Sequence, residues 1–168
     1  MLIFSKKTDC NEFWLGHLGI SNLFWFDGFD VINIEPGEAP NSYNSRWLNY
    51  HSISEVSDSS IDLIYGSHSL EHVQDIELFK SEVRRVLRPN GFLFWEVPNA
   101  KFPGNGAMNN RIDIPHTYYF EKKFFKNWFD EILIIETFSQ SHNSGIVSDW
   151  SDYTRKNGSV IRALGRMM

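Results

Sequence analysis

The chain has 168 residues, a formal net charge of −5 and one cysteine, Cys10, so it fits a single domain, 1–168, large enough to bury a core without staples. Acidity without any Lys/Arg cluster excludes bulk nucleic acid as a partner, and a lone cysteine excludes a disulfide framework or multi-cysteine zinc site. No apolar run is long enough to span a bilayer, and "MLIFSKKTDCNEFW" places its charges after a short apolar stretch, the reverse of a signal peptide; no membrane association and a cytoplasmic location are expected.

In chain order, the N-terminal third is the hardest to read. "EFWLG" is a candidate first strand and "ISNLFWF" a short helix, but "LIF" at the very start competes for the strand. "DVINIEP", Asp30 to Pro36, is a β-branched run stopped by Pro36 and Gly37. "IDLIY", Ile61 to Tyr65, is nearly all apolar, as a strand covered on both faces would be. Between Asp75 and Leu87, residues Leu78, Phe79, Val83, Val86 and Leu87 recur at helical spacing, with Asp75 placed to cap the start. "RPNG", Arg88 to Gly91, ends that helix, and "FLFWEVPN" follows as a buried strand.

Strand, helix, turn and strand make a βαβ unit, and its crossover implies a parallel sheet. Further on, "EKKFFKNWFDE" puts Phe124, Phe125, Trp128 and Phe129 on one stripe, which predicts a second amphipathic helix. "ILIIETF" and "SVIRALGRM" read as two last strands, paired antiparallel at the sheet edge. The predicted fold is α/β: a Rossmann-like, mostly parallel sheet flanked by helices, with the last strand antiparallel and the N-terminal part shortened.

The stretch "GSHSLEHV" raises a chemical question, because His68, Glu71 and His72 fall within one helical turn just past a buried strand. One reading is structural, with Leu70 packing inward and Glu71 and His72 bonding to nearby backbone. Another gathers His68, Glu71 and His72 around a divalent cation, for which imidazoles with one carboxylate suit Zn²⁺, Mn²⁺ or Co²⁺ better than Mg²⁺. A third makes a histidine a general base, since imidazole exchanges protons near neutrality.

The block "SSIDLIYGSHSLEHVQDIELFKSEVRRVLRPNGFLFWEVPN", Ser59 to Asn99, resembles the class I S-adenosylmethionine-dependent methyltransferases, in the stretch from their fourth strand through their fifth. "HTYYF", His116 to Phe120, is similar to that family's "HxxxF" segment. By flavour the chain resembles the short methyltransferases of sugar and polysaccharide gene clusters.

The resemblance implies S-adenosylmethionine as cofactor and O-methylation of a sugar or small-molecule acceptor. It implies that Glu35 accepts the ribose hydroxyls, that Gly66, Ser67 and His68 line the methionyl end, and that His116, then His68, is the candidate base. Gly16 and Gly19 in "WLGHLGISN" stand where the family has "DxGxGxG", a degenerate loop and therefore a weakened site.

No metal is expected; its alternative set is His68, Glu71, His72 and His116, the last implied by a similarity of the cluster to the "ExxEH" site of metal-assisted O-methyltransferases. Arg111 and Asp113 in the loop after the fifth strand, and Trp150 and Tyr153 further on, are candidates for touching a sugar. The rival class is a methyltransferase-like module without catalysis that binds or pairs subunits, which would make the chain a homodimer.

Overall fold

The computed structural model describes residues 2–6, 27–34, 48–102, 116–138 and 158–168. Its strands are β1 (Leu2–Lys6), β2 (Phe29–Ile34), β3 (Leu48–Tyr50), β4 (Ile61–Ser67), β5 (Leu87–Pro98), β6 (Glu131–Phe138) and β7 (Val160–Met167), with helices α1 (Ile76–Val86) and α2 (Lys122–Phe125). They form one sheet in the order β3-β2-β1-β4-β5-β7-β6. β2 pairs parallel with β3, and β4 with β5, while β7 lies antiparallel between β5 and β6. The expected α/β architecture with an antiparallel last strand is therefore present, with β7 inside the sheet and β6 at its rim. No helix among the described residues is long and apolar enough to cross a membrane.

The first strand is "LIFSK", so the "LIF" reading stands; "EFWLG" and "ISNLFWF" lie outside the described residues. β1 runs antiparallel to both neighbours, with Leu2 opposite Asn33 and Tyr65 and Lys6 opposite Phe29. Its carboxyl end thus leaves at the edge opposite to the one where β2 and β4 end.

α1 begins where its sequence says it should: the Asp75 carboxylate accepts hydrogen bonds from the N–H groups of Glu77 (3.0 Å) and Leu78 (2.9 Å). Val83 and Val86 are buried, but Leu78, counted in the apolar stripe, is 62% exposed. The helix stops at Val86, and β5 begins at Leu87 before looping through Arg88 to Gly91, with Asn90 left-handed at φ 66°. Ile61 pairs with Leu87 and Leu63 with Phe92, so those four residues bulge out of the β4–β5 ladder.

The stripe Phe124 to Phe129 makes only the single helical turn α2. Phe125, Trp128 and Phe129 are nevertheless buried, because large rings at close spacing can reach the core from a turn as well as from a helix.

The core lies on one face of the sheet. Ile64, Leu93, Trp95, Val97, Ile161 and Ala163 are almost fully covered, packed with Val83, Val86 and the aromatic turn. Trp95 is central, with ring centroids 5.9 Å from Phe79 and 6.5 Å from Trp128. Two glycines make room for rings: a Cβ on Gly66 would stand inside the Trp95 ring, and one on Gly165 would meet Phe129. Across the sheet, Tyr65 and Phe94 stack at 5.0 Å and are only half-buried.

Two measurements check this packing. Gly66→Ala should destabilise the fold by about 2 kcal/mol or more, as overpacking beside a locked ring does, seen as a lower urea midpoint at unchanged m. Asp130 receives both Arg84 Nη atoms (2.9 and 3.0 Å) and the Met168 N–H (2.8 Å), which hold its carboxyl below the ordinary 3.8. A lowered folded value means stability that is present above the unfolded pKa and lost as pH falls through the folded one. The stability gap between the parent and Asp130→Asn should therefore be constant at neutral pH and shrink below pH 3.8.

Candidate functional site

β4 emerges at the carboxyl edge through Gly66 and Ser67, and His68 then turns the chain with a left-handed φ of 48°. Such a backbone disfavours any residue with a Cβ, at a cost of about 1–2 kcal/mol. It is held by the His68 N–H, which donates to the Glu96 carbonyl of β5 at 2.9 Å. A single 3-10 turn, Leu70–His72, follows. Leu70 is driven into the core at 0% exposure, and Glu71 beside it goes down to 1%. The Glu71 carbonyl accepts two N–H groups, from Thr117 (2.8 Å) and Tyr118 (3.1 Å). Tyr118 fastens the same strap further along: its hydroxyl donates to the Gln74 carbonyl (3.2 Å) and accepts from the Ile76 N–H (3.4 Å). Phe120 bridges in parallel to Asn99 at the end of β5.

These backbone bonds bring "HTYYF" against "LEHV" across more than forty residues of chain. The rings of His72 and His116 meet edge-on at 4.8 Å. Donor atoms of Glu71, His72 and His116 all lie within 4.8 Å of one another, Glu71 buried, His72 exposed and His116 between.

The electrostatics run along a chain of alternating charge. His68 Nδ1 is 3.2 Å from Glu71 Oε1, and that hydrogen bond, against the opposing effect of burial, raises the imidazole pKa, helped by the charges of Glu71 and Glu96. His68 Nε2 lies 4.0 Å from Glu96 Oε1. Glu96, 7% exposed, also accepts from Ser67 Oγ at 3.0 Å and from Arg162 Nε. A buried carboxylate is tolerable when so paired. The second Glu71 oxygen, Oε2, has no hydrogen-bond partner in the structure and no contact with solvent.

Among the predicted site residues, Gly16, Gly19 and Glu35 lie outside the described residues, as do Arg111, Asp113, Trp150 and Tyr153. The smallness of Gly66 is explained by Trp95 beneath it. Ser67 has its hydroxyl engaged by Glu96, and His68 sits between two carboxylates that raise its pKa. His116 does meet the cluster. Glu71 bonds through its side chain to His68, where the structural reading expected a backbone partner. Glu96 and Arg162 escaped the sequence reading; the available signal was a charge in each of the apolar strands "FLFWEVP" and "VIRALGRM".

The model of a methyltransferase domain family matches residues 38–95, the part of the chain that carries β3, β4, α1 and most of β5. The chain has the fold of the class I S-adenosylmethionine-dependent methyltransferases.

A SAM-dependent methyltransferase of Thermotoga maritima superposes with a TM-score of 0.59 at 14% identity, over 73% of this chain and 65% of that one. One of Archaeoglobus fulgidus gives 0.58 at 15%, over 80% and 75%. A chain from the complex between the Haloferax volcanii Trm112 methyltransferase activator and its methyltransferase gives 0.51 at 14%, over 74% and 63%. The chain thus spans less than two thirds of the Thermotoga and Haloferax chains. No curated protein matches the sequence.

Removing the guanidinium from the buried pair should be felt throughout the edge. Arg162→Ala should lose about 2–3 kcal/mol, because Glu96 is left buried and uncompensated, whereas the double change Glu96→Gln with Arg162→Met should lose less; urea unfolding of the three proteins measures it.

Proposed function

We propose that the protein transfers the methyl group of S-adenosylmethionine to a hydroxyl of a sugar or other small metabolite. The observation that carries the reading is the polar cluster Glu71, His72 and His116, which lies beyond the carboxyl end of β4, where open parallel sheets bind their ligands. The edge also fits the cofactor in size. β2 and β4 end on either side of Leu2, two strand spacings or about 10 Å apart, a gap that an extended nucleoside with an amino-acid tail bridges. Glu35, just after Ile34, is assigned to the ribose hydroxyls, with Gly16 and Gly19 the remaining family-derived cofactor contacts. Gly66, Ser67 and His68 are assigned to the methionyl end.

When bound, the cofactor supplies an electrophilic methyl and a neutral thioether leaving group, so the protein's task is chiefly to align and desolvate the acceptor. His116, half-buried on its strap beside His72, is assigned to the acceptor hydroxyl, whose proton it takes as the oxygen–methyl bond forms. His68 positions Glu71 from the other side.

Calorimetric titration with S-adenosylmethionine should show one site per chain; absence of heat and of thermal protection at millimolar cofactor would sink the reading. With a sugar acceptor in hand, His116→Ala should lower kcat by about 10²-fold or more with cofactor affinity kept, as followed by transfer of labelled methyl.

A further inference from the structure

We infer that Glu71 is the positioning residue of His116: its second carboxylate oxygen takes one ring N–H of His116 and so turns the other, unprotonated nitrogen toward the acceptor. The pair itself stands on geometry, while its use rests on the methyltransferase reading, in which His116 is the base. Two observations meet here. The Glu71 side chain is 1% exposed, with Oε1 bonded to His68 and Oε2 without a hydrogen-bond partner. A buried carboxylate oxygen left so forfeits its solvation with no return, and a donor beside it is drawn onto it. His116 is that donor: a ring nitrogen lies within 4.8 Å of a Glu71 oxygen, and the next two residues of its strap already donate to the Glu71 carbonyl.

The approach needed is small. A charge-assisted N–H···O⁻ bond spans about 2.8 Å, so the nitrogen has at most about 2 Å to travel from its 4.8 Å limit. Rotation of a half-buried imidazole covers that distance, while Glu71 stays where Leu70 and the His68 bond hold it. Hydrogen bonds of this kind are often long until the acceptor is in place. His72 belongs to the same cluster, but it follows Glu71 directly in the turn, where neighbouring side chains diverge, and its exposed ring is open to water.

With its N–H on Oε2, His116 presents a lone pair to the acceptor hydroxyl. That nitrogen takes the hydroxyl proton as the oxygen–methyl bond forms and the sulfur–methyl electrons stay on sulfur. Glu71 balances the imidazolium, which afterwards passes the proton to water. Glutamine in place of Glu71 reverses the arrangement. A carboxylate only accepts, so His68 Nδ1 is the donor to Oε1, and in the glutamine variant the amide oxygen stays with it. The amide nitrogen then falls at Oε2, a donor where an acceptor stood, and His116 must carry its proton on the nitrogen that faces the acceptor.

The test reads the tautomer directly, by long-range proton–nitrogen NMR of the whole chain with isotope-labelled histidine above neutral pH. The His116 signals are assigned by their loss in His116→Asn. The parent should show a single tautomer of His116, and Glu71→Gln the other one. With a sugar acceptor, Glu71→Gln should lower kcat by about 10²–10⁴-fold while acceptor KM and S-adenosylmethionine affinity stay within a few fold, a split that loss of packing does not give. A parent whose His116 samples both tautomers overturns the inference without any variant, and so does an unchanged tautomer or an unchanged kcat in Glu71→Gln. S-adenosylmethionine titrated into the parent reports on the methyltransferase reading separately: without binding that reading falls, while the tautomer still decides the pair.

Discussion

Glu71 is carried below the surface because Leu70 beside it is driven into the core, and the carboxyl edge of the sheet is arranged around that burial. Its carbonyl, turned outward by the same 3-10 turn, holds the Thr117 and Tyr118 N–H groups and so fixes the strap that carries His116. Its carboxylate holds His68, whose unfavourable left-handed backbone is in turn pinned to β5 through the Glu96 carbonyl. One apolar side chain finding its place therefore positions an acid and three imidazoles. The gain from burying Leu70, of order 2 kcal/mol, is what makes the awkward polar neighbour tolerable.

The sheet beneath is built to keep that edge still. Gly66 lies directly over Trp95, so β4 and the core-facing aromatic layer approach as closely as backbone and ring can. The charged residues of β5 and β7 on the opposite face, Glu96 and Arg162, neutralise each other and reach up to Ser67 and His68. A rigid apolar underside and a paired polar upper side are a sound footing for a site whose chemistry is mostly alignment. The reversed β1 modifies this frame without breaking it, since its neighbours β2 and β4 still end at a common edge.

Local signals were legible where local physics decides. Asp75 caps α1 because its carboxylate needs only the next turn of backbone. β4, β5 and β7 were readable from their apolar runs, since strands covered on at least one face must be apolar there. The stripe Phe124 to Phe129 was correctly read as core and wrongly as a helix, because periodicity reports which residues are buried and not whether the backbone between them is regular. Leu78 had the right spacing and still faces water, as the helix offers more apolar positions than the sheet can cover. The direction of β1 had no signature at all, for a strand of a given pattern pairs equally well either way.

By itself, the sequence determined the central βαβ unit, the antiparallel return of the last strand, the turn at Gly66 and the presence of two histidines and a glutamate just beyond it. Only the tertiary structure decided which of them work together. His68 and His72 are close in sequence yet face different partners, one two carboxylates and the other His116. That choice depends on two backbone hydrogen bonds between residues more than forty positions apart, and on a charge on β7 that neutralises one on β5. Spacing along a chain fixes direction around a turn; which long-range hydrogen bonds form, and hence which groups meet, depends on how the whole sheet packs.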